Sequence, residues 1–206
     1  MPDWYAHLKE WQTAIGAAVG FTALMAGALF NFRLNRMRDE QLRSQEAASI
    51  AAALYGEVVL LRRQVALLAR IVADKHITRG TSRHYREIDQ EFVDAYGLPE
   101  PVLYPALAGK LGLLDANIII ALTAFHRDYQ EARSSLPLLV ENEARGFSYS
   151  VLTVLEPARD AVRNVEPTLR EIENLASVRI PAAQPDLGMV EDVIEMETEM
   201  RREHSD

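Results

Sequence analysis

The chain has 206 residues, of which 49% are hydrophobic and 25% are charged, proportions that are ordinary for a folded protein. Its formal net charge of −8 argues against general nucleic-acid binding, so we predict no nucleic-acid partner. It has no cysteine, which fits a reducing compartment without demanding one.

The first element is an apolar run from position 14 to position 30, in which Thr22 is the one polar residue. A helix rises about 1.5 Å per residue and the hydrocarbon core is about 30 Å thick, so extending the run to 12–32 makes a full span. Aromatic residues, which prefer the headgroup boundary, flank the run on both sides: Trp4, Tyr5, Trp11, Phe30 and Phe32. We therefore predict a transmembrane helix over 12–32, after a short N-terminal tail over 1–11.

Two other interpretations of this run compete with the membrane span. A cleaved signal peptide needs a basic start and a small-residue cleavage site, whereas this chain begins with Asp3, Lys9 and Glu10 and the run ends in large residues at 29–32. A buried helix of a soluble protein stays open, because the run is rich in alanine and glycine and only weakly hydrophobic. Length, flanks and aromatic placement favour the membrane span.

Small residues form a candidate packing face on this helix. They recur at steps of four, three and four: Gly16, Gly20, Ala23 and Gly27. Small side chains let two helix backbones approach closely, and packing then drives association within lipid. Any span rich in alanine and glycine yields such spacings, which is the alternative. We predict a membrane-helix packing face whose partner is a second copy or a larger membrane protein.

A basic juxtamembrane segment, 33–46, follows the span and carries four arginines: Arg33, Arg36, Arg38 and Arg43. Before the span there is only Lys9, so the positive-inside rule places the C-terminal side in the cytoplasm and the N-terminus outside. The simpler interpretation of the arginines is a stop-transfer signal, and the alternative is binding of anionic lipid headgroups.

The region 47–180 is predicted to be a helical bundle domain. Its core stripe repeats at alternating steps of three and four: Leu54, Val58, Leu61, Val65, Leu68 and Val72. Further apolar residues widen this face, which suggests a bundle, or a coiled coil that other helices also cover. The simplest reading is one long helix from the membrane to about Lys75, with Arg62, Arg63 and Arg70 on its remaining surface.

Two further helices are predicted in the middle of the chain. One covers about 85–96 and ends at Gly97. The other follows Asp115, a good N-cap, and runs to about residue 137 with an apolar stripe from Ile118 to Leu136. The segment 117–120 is β-prone locally, but the longer helical pattern should win. The sequence therefore predicts an all-α protein.

A last large helix is predicted from about 147 to 176. Pro157 and Pro167 lie inside it, and each should kink or divide the helix. A linker and acidic tail, 181–206, follow. Met189, Val193, Met196 and Met200 form a small stripe in this tail, which is either a docking helix or a disordered end.

No candidate catalytic, cofactor-binding or metal site emerges. The five histidines show no metal-ligand spacing, and the pair around one loop, His76 and His84, is interpreted as solvated. There is no nucleotide loop and no nucleophile elbow. Glu141, Glu143 and Glu156 are interpreted as solvated carboxylates. We predict no enzyme activity, no cofactor and no evident small-molecule substrate.

The residues 11–16, 102–104 and 109–114 carry a resemblance. The chain resembles a loose group of bacterial single-pass membrane proteins with a tryptophan-led N-terminal span and a cytoplasmic helical domain. The resemblance implies a bacterial inner-membrane location and no activity, and it carries over no functional residues. Gly109 and Gly112 are expected to permit close packing of a short helix on the long one.

These observations favour a membrane-anchored helical scaffold, an accessory or assembly subunit of a membrane protein complex or a homo-oligomer. The first alternative is a regulator or sensor that signals through the exit helix. The second alternative is a membrane-bound enzyme, because catalytic groups can converge from distant positions.

Overall fold

The computed structural model describes residues 4–79, 88–140, 145 and 149–203. The described residues are 84% helical and contain no strand, which confirms the all-α prediction. Seven α-helices are described: α1 Trp4–Thr78, α2 Gln90–Tyr96, α3 Leu103–Ala106, α4 Ala116–Ser135, α5 Leu152–Asn164, α6 Glu166–Leu175 and α7 Gly188–Glu203. Two 3-10 segments, Ala108–Leu113 and Leu136–Leu139, connect some of them.

The chain divides into two compact units, 1–46 and 47–206. In the first unit, α1 is long and apolar enough to cross a membrane, since its most apolar window has a mean hydropathy of 1.7. None of that window is buried inside the described structure, so no described element covers it as a soluble core would. The hydroxyl of Thr22 donates to the carbonyl of Ala18 at 2.8 Å, which satisfies the one polar side chain of the run.

The second unit holds one hydrophobic core. The six predicted core residues of α1, from Leu54 to Val72, are all buried. The stripe predicted on α4 is buried as well, and it ends at Leu136: Ile118, Leu122, Phe125, Tyr129, Ala132 and Leu136. α4 packs on α5 and α6, and α5 packs on α7.

Side-chain caps explain where two helices begin. The Asp115 carboxylate accepts the N–H of Asn117 at 2.9 Å, as its N-cap prediction requires. The Asp89 carboxylate accepts the N–H of Phe92 at 2.8 Å from an extended backbone, so α2 starts at Gln90. The predicted start at about 85 lies outside the described residues, but residues 88 and 89 are not helical. Because of this cap, α2 begins later in the chain than periodicity suggested, whereas its end at Tyr96 is as predicted.

The helix predicted over 147–176 is two helices, and its prolines act differently. Pro167 is in the first turn of α6, where its missing N–H has no helical partner to lose, and the chain divides just before it at Val165. Pro157 does not divide α5, which continues through it. Buried neighbours such as Leu155 and Ala158 hold the turn in the core, and packing contributes most of the stability of a helix.

The acidic tail forms an ordered helix, which settles the choice between a docking helix and a disordered end for residues 188–203. Val190, Val193 and Ile194 are its buried residues. Of the predicted stripe, Val193 is buried, and the three methionines are 40–41% exposed. The expectation for Gly109 and Gly112 is wrong, since a Cβ at either would meet nothing within 4 Å.

The end of α6 places a serine in an unfavourable conformation. Ser177 has a φ of 53°, and the N–H of Val178 donates to the carbonyl of Glu173 at 2.8 Å, the bond of a Schellman motif. An L-residue in this left-handed region is strained, whereas glycine is not.

We expect Ser177→Gly to raise the free energy of unfolding by up to about 1 kcal/mol, because it relieves the left-handed strain. Thermal unfolding of the full chain in mild detergent measures this. The neighbouring Ala176, with a φ of −88°, is the control, and Ala176→Gly should lower stability instead. A lower unfolding temperature for Ser177→Gly would contradict this account of the motif.

Candidate functional site

The residues singled out in the first unit do not converge on a chemical site. A Cβ at Gly16, Gly20 or Gly27 would meet nothing within 4 Å, so this face is open in the described chain. The four juxtamembrane arginines are exposed. Arg36 pairs with Glu40 at 3.0 Å, an exposed contact within one helix that contributes little to stability.

A buried arginine is the first polar feature of the second unit. Arg62 is only 2% exposed, so its predicted surface position is wrong. Its Nε donates to the carbonyl of Val162 at 3.0 Å, and its guanidinium contacts the carboxylate of Glu166. Burial lowers the pKa of Arg62 below its usual value, and the Glu166 charge opposes that effect. The guanidinium therefore joins α1 to the junction of α5 and α6.

A chain of polar contacts continues from Glu166. Arg170 donates to Glu166 at 2.6 Å and to Glu173 at 2.8 Å. The hydroxyl of Tyr55 donates to Glu173 at 2.7 Å, and the N–H of Ala182 approaches both at 2.9 and 3.0 Å. This network fixes the segment after α6 against α1.

The charge of Glu173 is held by its neighbours. Burial alone would raise the pKa of this carboxyl, but hydrogen bonds from Arg170, Tyr55 and the N–H of Ala182 outweigh it and lower the pKa. Glu173 is therefore ionised, and its carboxylate serves as a fixed acceptor. Arg170 also donates to the carbonyl of Ala182 at 3.2 Å, so both backbone groups of that residue are bound.

The segment 180–186 and the side of α1 that faces it enclose a groove of about 700 Å³. We call it the arginine groove, because Arg62, Arg63 and Arg70 line it. Most of its other lining is apolar and includes Val59, Ala66, Leu67, Ile180, Pro181 and Pro185. The volume is in the range of ligand pockets, and the site combines an apolar surface with cations.

The three arginines of the groove differ in their partners. Arg62 is bound by Glu166, whereas Arg63 and Arg70 are exposed. Within the described part of the chain, neither exposed arginine has a hydrogen bond or an ion pair. Asp186 also lines the groove, but its Oδ1 accepts the N–H of Gly188 at 3.0 Å at the start of α7.

A second polar cluster surrounds Glu57, which is buried on the core side of α1. Its carboxylate accepts three backbone N–H groups, from Val102 and Leu103 at 2.6 Å and from Tyr104 at 2.8 Å. These are the donors that the start of α3 leaves unsatisfied, and the helix dipole also favours an anion there. Glu57 therefore acts as a cap supplied by another helix.

His126 packs beside this cap. Its ring stacks on Tyr104 with centroids 3.8 Å apart, and Nδ1 lies 2.7 Å from the carbonyl of Leu122, which accepts its proton. Nε2 lies 3.8 Å from Glu57, beyond hydrogen-bond distance. Burial lowers the pKa of His126 below its ordinary 6.5, which the Leu122 carbonyl and Glu57 oppose. The ring is therefore neutral at neutral pH.

Glu57 was not identified from the sequence as a buried residue, and Arg62 was predicted to lie on the surface, although the spacing of both residues carries a signal for burial. Glu57 is three residues after Leu54 and four before Leu61. Arg62 is four residues after Val58 and three before Val65. Residues at these separations share a helix face, so both charges lie on the core side.

Two of the remaining sequence candidates, His76 and Glu156, lie among the described residues. His76 is not a solvated loop residue, since it lies in α1 and its Nε2 is 2.9 Å from Glu197. Glu156 is exposed. His84, Glu141 and Glu143 lie outside the described residues. Among the residues that the structure describes, no group of three or more histidines and carboxylates could hold a metal ion.

In comparisons with known proteins, no protein-family model, no curated protein and no solved structure matches this chain. The resemblance to bacterial membrane proteins therefore stays a prediction.

We expect Tyr55→Phe to lower the free energy of unfolding by about 1 kcal/mol, because the hydroxyl is a donor to Glu173 and an acceptor for Ala182. It should also speed amide hydrogen exchange in 180–186, which borders the groove. Tyr96→Phe is the control, since the described structure records no hydrogen bond for that hydroxyl. Equal exchange rates in the two variants would contradict this role of Tyr55.

We expect the free energy of unfolding to decrease as the pH is lowered below about 6.5, in part because of His126. Its folded pKa is lowered, so the unfolded chain takes up a proton that the folded chain does not, and unfolding becomes easier as the pH falls. His126→Phe keeps a ring against Tyr104 and should flatten this dependence. Unfolding temperatures measured from about pH 8 to about pH 5 test it, and parallel curves for the two proteins would refute it.

Proposed function

We propose that this protein is a membrane-anchored helical scaffold, an accessory or assembly subunit that binds a partner without catalysis of its own. The observation that carries the proposal is the open small-residue face of Gly16, Gly20, Ala23 and Gly27 on an apolar helix that no described element covers. An apolar surface of this size needs lipid or another helix against it, and small residues favour a helix.

The polar groups of the second unit support the same proposal. Buried charges at active sites are arranged to act on a substrate, whereas Glu57 and Arg62 are engaged with backbone groups and with Glu166. They hold segments of the bundle in place. The arginine groove adds two exposed cations beside an apolar lining, a combination that suits binding of a partner.

The proposed location is the bacterial inner membrane, with the N-terminus outside and the bundle in the cytoplasm. The four arginines from Arg33 to Arg43 follow the apolar run, and the positive-inside rule supports this orientation. The partner is a second copy of the chain or another membrane protein, because the packing face lies within the apolar run.

Crosslinking in cells, with a C-terminal tag and mass spectrometry of what co-purifies from membranes, tests the proposal. We expect one abundant product, either a crosslinked copy of the chain or a membrane partner. Gly20→Leu should reduce its yield, because the added side chain meets nothing in the chain itself and obstructs only an approaching helix.

Ala18→Leu is the matched control, since it adds a similar bulk about 160° away around the helix and should leave the yield unchanged. A protein that stays monomeric in mild detergent and brings down no partner from cells would refute the scaffold. Equal loss in both variants would refute the packing face.

A further inference from the structure

We propose that the arginine groove binds an extended acidic peptide of a partner protein, with one carboxylate on Arg63 and a second on Arg70. The inference rests on the proposed scaffold function and names the chemistry of the segment that the bundle recognises.

The cations of the groove are the first argument. Arg62 is committed to Glu166, whereas Arg63 and Arg70 present their guanidinium groups with no hydrogen bond or ion pair within the described part of the chain. A guanidinium is a fork of donors that matches a carboxylate. The chain as a whole carries a net charge of −8, so a cationic groove is a local feature that selects anions.

The carboxylates nearest to the groove do not fill this role. Glu166 and Glu173 are bound by Arg62, Arg170 and Tyr55. Asp186 caps the start of α7. Asp74, one helical turn after Arg70, forms no ion pair with it in the described structure. No described carboxylate binds Arg63 or Arg70, and we assign the complementary anion to another molecule.

The spacing of the two arginines favours an extended peptide. They are seven residues apart on α1, which is nearly two turns and about 10.5 Å along the axis. A polyproline-type peptide has three residues per turn and rises about 3.1 Å per residue, so acids at every third position lie on one side about 9.3 Å apart. The spacing of the two arginines along α1 and the spacing of the two acids along the peptide therefore differ by about 1.2 Å, which a flexible arginine side chain can accommodate.

The apolar lining argues for a peptide rather than for a lipid surface. Ala66 and Leu67 lie between the two arginines in sequence, and Ile180, which is 84% exposed, lines the groove from the other side with Pro181. Such walls suit the proline or leucine that separates two acids. A bilayer presents headgroups in a plane, whereas this site has protein on two sides.

The test uses the full chain in nanodiscs of neutral lipid and a short fluorescein-labelled peptide in which glutamate recurs at every third position between proline and leucine. Fluorescence anisotropy measures its binding. We expect the peptide with glutamine in place of glutamate to bind more weakly. The variant R63A/R70A should lose affinity for the glutamate peptide on the order of tenfold, since each exposed ion pair contributes modestly.

The matched control is R179A/R202A, which also removes two exposed cations, neither of which lines the groove, and it should retain most of the affinity. A charge-reversed variant, R63E/R70E, should instead prefer a peptide with lysine at every third position. Both groove variants should unfold at the temperature of the parent chain, because Arg63 and Arg70 are exposed and unbonded within the described structure.

Equal binding of the glutamate and glutamine peptides, or equal affinities of R63A/R70A and the parent chain, would overturn the proposal. Displacement of the glutamate peptide by glycerophosphoserine, but not by glutamate dipeptides, would overturn it in favour of a phosphate-bearing ligand. If the crosslinked partner is still recovered from cells with R63A/R70A while the peptide results are negative, the scaffold function stands and the groove proposal alone fails.

Discussion

The buried guanidinium of Arg62 is the interaction on which the arrangement of the bundle depends. Taking a charge out of water costs several kcal/mol, so the site must supply hydrogen-bond acceptors and a negative charge that compensate the guanidinium. Here the carbonyl of Val162 and the carboxylate of Glu166 do so. Val162 is among the last four residues of α5, whose carbonyls lack helical partners, and Glu166 begins α6, where the helix dipole favours an anion.

The break between α5 and α6 and the burial of Arg62 therefore explain each other. Pro167 ends the regular hydrogen-bond pattern at this junction, which leaves carbonyls in need of a donor. Arg62 provides that donor from α1. Buried ion pairs are weak evidence of stability, but a guanidinium with fixed partners defines the position of the junction on α1. Glu166 then passes the constraint to Arg170 and Glu173, which hold the segment that borders the arginine groove.

Glu57 performs a parallel task with the opposite charge. Five residues before Arg62 on the same helix, it binds the N–H groups at the start of α3, where the dipole is positive. Each of these two charges on the core side of α1 thus binds a helix end of opposite polarity: Glu57 binds the positive start of α3, and Arg62 binds the negative end of α5. The bundle is organised around the part of α1 from Ile50 to Ala73 by apolar contacts and by these two charged contacts. The groove with Arg63 and Arg70 lies on the more exposed side of the same part of α1.

The local pattern of apolar and capping residues in the sequence determined much of the secondary structure and core of this protein. The all-α class, the apolar run that is long enough to span a membrane, the stripe on α4 and the N-cap at Asp115 all follow from periodicity and capping, which act between residues a few positions apart. The six core residues of α1 are buried for the same reason. These features depend on which side of a helix is apolar, and a single sequence carries that information.

Only the tertiary structure decided the partners of the charges. Arg62 meets a carbonyl 100 residues away, and Tyr55 meets a carboxylate 118 residues away, so helical spacing has no bearing on either contact. The spacing of Glu57 and Arg62 places them on the core side of α1, but charged residues are rarely buried. Their burial is favourable because the ends of other helices, with dipoles of opposite sign, pack against them. The arginine groove has the same origin, since one of its walls is an irregular segment that side chains from α1 and α6 hold in place.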